Sequence, residues 1–350
     1  MSWEENVRRV VPYTPGDQPN KAGMIKINTN ECPYPPAPGV KKVLENMELS
    51  KLRLYPDTTA APLAKALADY YGVSEKQVFV GVGSDDVISM AFMTFFNGDK
   101  PVLFPNITYS FYDVWAELYR IPYEVVPLQE DFRIHAEDYA RPNGGIIFPN
   151  PNAPTGVFED LSVVEKIISD NPDVVVMVDE AYVDFGGESA LPLLKKYENL
   201  LIIRTFSKSR AMAGMRIGFA IGNEKLIRYL NDTKFSFNSY TMNQTAIACG
   251  VASVEDDVYF KETLNKIIKT RERVKKELST LGFSFPDSRA NFIFATHKTK
   301  PAKEIYETLK EHNIYVRHFD KPEIDNYLRI SIGTDEEMDK FLAFLKEYLG

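Results

Sequence analysis

The chain has 350 residues, of which 44% are hydrophobic and 26% charged, with a formal net charge of −8. That acidic balance argues against a general nucleic-acid partner, which needs a basic face, and two cysteines cannot build a disulfide framework. No run of about eighteen apolar residues occurs and the first residues carry no signal-peptide pattern, so a cytoplasmic protein with no membrane partner is expected.

The length suits two compact domains. The first thirty-odd residues are broken by Pro12, Pro15, Gly16, Pro19, Pro33, Pro35, Pro36 and Pro38 and read as an arm, residues 1–34, that lies on another part of the structure. From Thr58 the pattern alternates. Thr59 is placed to cap a helix over Pro62–Tyr71, followed by a strand at Val78–Val80 and a helix over Asp85–Phe96 with acids in its first turn. A strand at Val102–Phe104, a helix over Tyr109–Tyr119 and a strand at Tyr123–Val126 come next. Strands at Ile146–Phe148 and Val174–Val178 flank a helix over Leu161–Ser169, and two more strands fall at Leu200–Ile203 and Ile217–Ile221. Short runs of apolar, often β-branched residues suit strands buried on both faces. Their alternation with helices predicts an α/β fold with a mostly parallel central sheet flanked by helices, spanning residues 35–254.

After Val254 the character changes. A charged helix, roughly Asp256–Leu281, leads to a strand at Phe292–Ala295, a helix over Ala302–Glu311, strands at Ile314–Val316 and Tyr327–Ile332, and a last helix over Glu336–Tyr348. This predicts a smaller α+β domain over residues 255–350. The four histidines are scattered, so no metal site is expected.

Ligands of mostly parallel sheets bind beyond the strand C-termini, which selects four loops. Gly81-Val82-Gly83-Ser84-Asp85-Asp86 enters a helix, whose first free amides suit an anion. It lacks the third glycine of a dinucleotide fingerprint, which disfavours a nicotinamide-dependent dehydrogenase. Asn150-Pro151-Asn152-Ala153-Pro154-Thr155-Gly156 is a stiff strand-end loop. The run Val174–Val178 ends in Asp179, and a carboxylate at the end of a buried strand needs a positive partner, such as a protonated pyridine nitrogen, or a metal. Thr205-Phe206-Ser207-Lys208 follows another buried strand, with Arg216 eight residues beyond the lysine; Thr205, Ser207 and Arg216 offer donors to a phosphate. A lysine so placed can be desolvated into a nucleophile toward an aldehyde.

Together these loops resemble those of the class I/II aminotransferases of fold type I, over nearly the whole chain. The resemblance implies pyridoxal 5'-phosphate (PLP) in a Schiff base with Lys208. Asp179 would pair with the pyridine nitrogen, and Tyr182 would hydrogen-bond the ring hydroxyl. Ser84, Asp85, Thr205, Ser207 and Arg216 would hold the phosphate, and Tyr109 would stack on the ring. One position departs from the pattern. The family's loop has Asn where this chain has Ala153, which leaves Tyr182 as the ring-hydroxyl donor or shifts that task to Asn152.

Val11-Pro12-Tyr13, Asn30-Glu31-Cys32-Pro33-Tyr34-Pro35 and Tyr55-Pro56-Asp57 are similar to the branch of the family that transaminates histidinol phosphate. The similarity implies a homodimer with shared active sites, in which Tyr55 reaches the partner's cofactor phosphate and Tyr13 lies near the substrate. Arg329 matches the family's carboxylate-binding arginine and Arg317 the branch's additional one. A lyase acting on threonine phosphate and an aromatic amino acid aminotransferase share this scaffold and stand as alternative expectations.

Overall fold

The computed structural model describes residues 2–14 and 16–350; Met1 and Pro15, both in the expected arm, lie outside them. In chain order the elements begin with β1 (Ile25–Lys26), α1 (Pro38–Glu45), α2 (Ala61–Tyr71), β2 (Val78–Gly81), α3 (Ser84–Phe95), β3 (Val102–Pro105), α4 (Tyr112–Tyr119) and β4 (Tyr123–Val126). They continue with β5 (Gly145–Pro149), α5 (Leu161–Ser169), β6 (Val176–Asp179), β7 (Leu200–Thr205), β8 (Gly218–Gly222), α6 (Glu224–Phe237) and α7 (Gln244–Glu255). The remainder is α8 (Asp257–Thr280), β9 (Phe283–Ser284), β10 (Phe292–His297), α9 (Ala302–Glu311), β11 (Ile314–Tyr315), β12 (Arg317–His318), β13 (Leu328–Ser331) and α10 (Asp335–Leu349).

Seven strands form one sheet in the order β2-β8-β7-β6-β5-β3-β4. All pairings are parallel except those of β8, which runs against both β2 and β7. The expected α/β architecture is therefore present. Strand residues alternate between two apolar layers, as a sheet covered on both faces requires. Ile147, Met177, Leu201 and Ile203 pack under α3, α4 and α6, while Ile146, Phe148, Val178 and Ile202 pack under α5. Full burial of such a side chain contributes roughly 1.5–3 kcal/mol, enough to override weak local preferences.

A second sheet, β12-β13-β10-β9, is antiparallel and packs with α8, α9 and α10 around its own apolar cluster. The arm is tied to this part: β1 pairs in parallel with β11, Ile25 opposite Ile314 and Lys26 opposite Tyr315. So β11 forms a separate two-stranded sheet with the arm, apart from β12 and β13.

Several local expectations change. Thr59 does not cap α2; Ala60 stands at the cap position in the left-handed region (φ 52°), and Asp57 Oδ1 accepts from Thr59 N, Thr59 Oγ1 and Ala61 N. Pro38 starts α1 rather than breaking structure, since a first-turn proline lacks only an N–H that would have had no helical partner. Helix α4 begins three residues later than expected, which frees Tyr109 to sit in the loop after β3. Helices α1, α6 and α7 lie where the sequence pattern indicated none. No helix among the described residues is long and apolar enough to cross a membrane.

Candidate active site

Because β2, β3, β5, β6 and β7 run the same way, their C-terminal ends share one rim of the sheet. Strand β8 runs the other way, so its start reaches that rim: Gly218 pairs with both Gly81 and Thr205. Arg216, Gly83, Asp179 and Lys208 are thus brought to one side by topology alone.

Asp179 ends β6 with 5% of its surface exposed. Its Oδ1 accepts from Ala181 N at 3.1 Å and its Oδ2 from the Tyr112 hydroxyl at 3.0 Å. Burial pushes the carboxyl up to about 6, against the opposing pull of those two donors. A carboxylate held so far from water calls for a cationic N–H partner. Tyr112, fully buried, was not singled out in the sequence; within a helix pattern it reads as ordinary core, and only the fold aims its hydroxyl at Asp179.

Lys208 lies just past β7. Its Nζ donates to Thr29 O at 3.2 Å and sits 5.7 Å from the Tyr182 ring centre. Tyr182 packs edge-on against Phe292, and its hydroxyl accepts from Asn30 Nδ2 at 2.9 Å. The arm therefore touches both Lys208 and Tyr182. Asn152 does not join them: its amide donates to Ile107 O and Thr155 Oγ1, each at 3.0 Å. Ala153, beside it, brings no polar side chain.

Gly83 (φ 87°) precedes Ser84 and Asp85, the first residues of α3, whose amides face the rim without helical acceptors. A Cβ on Gly83 would stand 2.6 Å from Arg216 Nη2, and one on Gly218 would stand 2.2 Å from Gly83 C, so both positions need glycine for this close approach. Asp85 accepts from the Tyr109 hydroxyl at 2.7 Å and from Arg216 Nη2 at 3.2 Å. The Asp85 side chain thus orients Tyr109 and Arg216. Burial, with Asp85 beside it, holds the Tyr109 phenol far above its ordinary range. Ser207 N donates to Thr205 Oγ1 at 3.1 Å, and Thr205 Oγ1 in turn donates to Ile217 O at 3.4 Å.

Arg317 on β12 and Arg329 on β13 are directly opposed across the strand pair. Neither has a carboxylate within ion-pair distance among the described residues. Arg329 Nη2 donates to Asn28 O at 3.0 Å, while its Nε is buried and unpartnered. Burial pulls the Arg329 guanidinium below its usual range, and Arg317 adds to the effect. Like charges placed opposite each other on a sheet destabilise it, so the arrangement suits a bound anion.

A cleft of about 1050 Å³ opens here, with Tyr13, Tyr109, Ala153, Arg317 and Arg329 on its walls. Tyr13 stacks on Phe111 with ring centres 4.2 Å apart. Lys208, Asp179 and Tyr182 are not on its walls; Tyr109 and Arg329 join the cleft to them, each close enough to interact with the Tyr182 phenol. Tyr55 stands apart, 80% exposed, its ring against Tyr240.

The profile of the family described as aminotransferase class I and II matches residues 22–345. The chain belongs to the class I and II aminotransferases. Among its relatives in this family, the histidinol-phosphate aminotransferase of Lactococcus lactis subsp. cremoris strain SK11 is 50% identical, with the alignment covering all of this chain and 98% of the relative. The enzyme of the same name from Clostridium acetobutylicum is 50% identical over 99% of this chain and 98% of its own length. The aminotransferase fold recurs in the crystal structure of a histidinol-phosphate aminotransferase from Sinorhizobium meliloti in complex with pyridoxal-5'-phosphate. That structure superposes with a TM-score of 0.83 at 24% identity, covering 93% of this chain and 90% of the other.

Class I and II aminotransferases are PLP enzymes, and the donor set fits the cofactor. A buried carboxylate, a lysine and a phenol lie beside a glycine-lined helix start with an arginine over it.

Proposed function

We propose that this aminotransferase moves the amino group of histidinol phosphate to 2-oxoglutarate, giving imidazole-acetol phosphate and glutamate, as a step of histidine biosynthesis. The observation that carries the substrate reading is the opposed pair Arg317 and Arg329, two guanidiniums without a carboxylate partner among the described residues, on the wall of one cleft. A site that must grip a phosphate ester in one half-reaction and a dicarboxylate in the other needs such forks. The half-identical relatives, named for this activity, support the same reading.

Bound at the rim, PLP supplies an electron sink for the pair released at the substrate's α-carbon. Asp179 would pair with the ring nitrogen and keep it protonated. Tyr182 would donate to the ring oxygen, and Tyr109 would cover the ring. Arg216 and the Ser84 and Asp85 amides would hold the phosphate, with Thr205 and Ser207 beside them. Lys208 would hold the cofactor through its aldehyde, and its amine, once free, would serve as the base that moves the substrate's α-proton. Tyr13, Arg317 and Arg329 orient the substrate.

We further infer a cytoplasmic homodimer in which Tyr55 completes the partner's site. Leu49, Leu52, Leu54 and Phe237 are exposed alongside Tyr55 and Tyr240, an apolar set that a second copy would cover. Residues 1–34, 35–254 and 255–350 are taken as arm, large domain and small domain.

Purified enzyme loaded with PLP should lose visible absorbance with histidinol phosphate alone, as the amino form accumulates, and regain it with turnover once 2-oxoglutarate is added. Lys208→Ala should lower turnover by roughly 100- to 10,000-fold. Carbon dioxide release from threonine phosphate, or faster turnover of phenylalanine, would reject the substrate assignment.

A further inference from the structure

We propose that Asn30 is a positioning residue for transamination, fixing the Tyr182 hydroxyl so that its proton is presented into the site rather than to the protein. The proposal rests on the reading of Tyr182 as donor to the cofactor's ring oxygen.

Asn30 is buried in the left-handed region (φ 56°), a conformation asparagine tolerates better than most residues, and is 1% exposed. All four of its polar groups are engaged. Its N–H donates to Ser331 Oγ at 2.9 Å, and its carbonyl accepts from Asn291 Nδ2 at 3.0 Å. Its Oδ1 accepts from Ser331 Oγ at 2.9 Å, and its Nδ2 donates to the Tyr182 oxygen at 2.9 Å.

The network fixes which way the amide points. Ser331 Oγ already accepts from the Asn30 N–H, so its own proton goes to Oδ1. That leaves the NH2 group toward Tyr182, and the phenol oxygen must accept. A phenol that accepts on the protein side keeps its proton for the other side. The 150–156 loop offers this phenol no competing donor: position 153 is alanine, and the Asn152 amide is committed to Ile107 and Thr155.

The titratable groups around Tyr182 are Lys208 just past β7, Arg329 on β13, Tyr109 in the loop after β3 and Tyr112 at the start of α4; Glu31 of the arm lies near Lys208. Asn30 itself carries no charge, and its anchor, Ser331, lies two residues beyond Arg329 on the same face of β13. The strand that grips the substrate carboxylate and the phenol that serves the ring oxygen are thereby held by one amide.

The test is the pH titration of the visible band of PLP-loaded enzyme without substrate. A weaker donor leaves the ring oxygen more basic, so the proton it shares with the neighbouring nitrogen is held to higher pH. Asn30→Gly removes the amide and still allows the left-handed backbone; it should raise the midpoint by about half to one pH unit, the worth of one hydrogen bond. Asn30→Asp keeps shape and backbone but offers an acceptor that draws the phenol proton away, and should raise the midpoint at least as far. In a Tyr182→Phe background, Asn30→Gly should add nothing. An unchanged midpoint in folded Asn30→Gly or Asn30→Asp, or equal shifts with and without the Tyr182 hydroxyl, would overturn the role of Asn30 alone. Failure of wild-type protein to develop any visible band with PLP would instead overturn the cofactor reading beneath it.

Discussion

The Tyr112 hydroxyl donates to Asp179 Oδ2 at 3.0 Å, with both side chains buried. The carboxyl keeps its proton to about pH 6 in the folded chain, against an ordinary value of 3.8. Between those values the unfolded chain has released a proton that the folded chain retains, so rising pH favours unfolding. Stability of the cofactor-free protein should fall by about 3 kcal/mol as pH rises from 4 to above 6, then level off. Asp179→Asn should remove that slope in denaturant titrations at fixed protein concentration, while crippling turnover of the loaded enzyme. Tyr112→Phe withdraws a donor from the carboxylate and should extend the sloping window above pH 6. A flat profile in the wild-type apoprotein would reject this account.

Arg204 on β7 makes a buried ion pair with Glu180, the residue after Asp179, at 2.7 Å, and a second one with Asp184 at 3.1 Å. Arg204→Met strands the Glu180 charge in the interior and should destabilise by about 3–5 kcal/mol. Replacing Glu180 by Met in the same chain should recover much of that loss. Urea unfolding of the single and double variants measures it; equal stability of the Arg204→Met variant and wild type would contradict the burial argument.

Arg317 and Arg329 should separate by substrate. Arg317→Ala is expected to lower kcat/KM for histidinol phosphate roughly 10- to 100-fold, the worth of a charge-assisted hydrogen bond, with a smaller effect on glutamate. Arg329→Ala should damage both half-reactions. Equal losses on the two substrates in Arg317→Ala would reject its assignment to the phosphate.

Shared sites can be tested by complementation. Tyr55→Ala and Lys208→Ala chains, each inactive alone, should regain about a quarter of wild-type activity when co-refolded at equal ratio, since half the dimers are mixed and each of those has one intact site. No recovery in demonstrably mixed dimers would place Tyr55 outside the partner's site.

Lys208 and Asp179 were legible because each follows an apolar strand, and a charge at such a boundary is conspicuous in one dimension. Tyr112 and Asn30 were not. Their parts depend on contacts 67 and 152 residues distant in sequence, and a tyrosine in a helix or an asparagine in a turn has an ordinary local explanation. The same limit hid α6, whose exposed face carries Lys225, Arg228 and Asp232, and α7, whose small residues mark no clear stripe. Asp57 replaced Thr59 at the start of α2 because a carboxylate can accept three hydrogen bonds there at once. The strand order, with β8 reversed, had no local signal at all.

The juxtaposition of Arg317 and Arg329 across β12 and β13 has a practical corollary. Two guanidiniums facing each other repel, and any anion that settles between them relieves the repulsion, whether or not it can react. If these two arginines take the substrate anion as proposed, sulfate and inorganic phosphate should compete with it in the assay tube, and concentrated buffers should lower the measured substrate affinity. Kinetic comparisons of these variants carry meaning only at matched, low ionic strength.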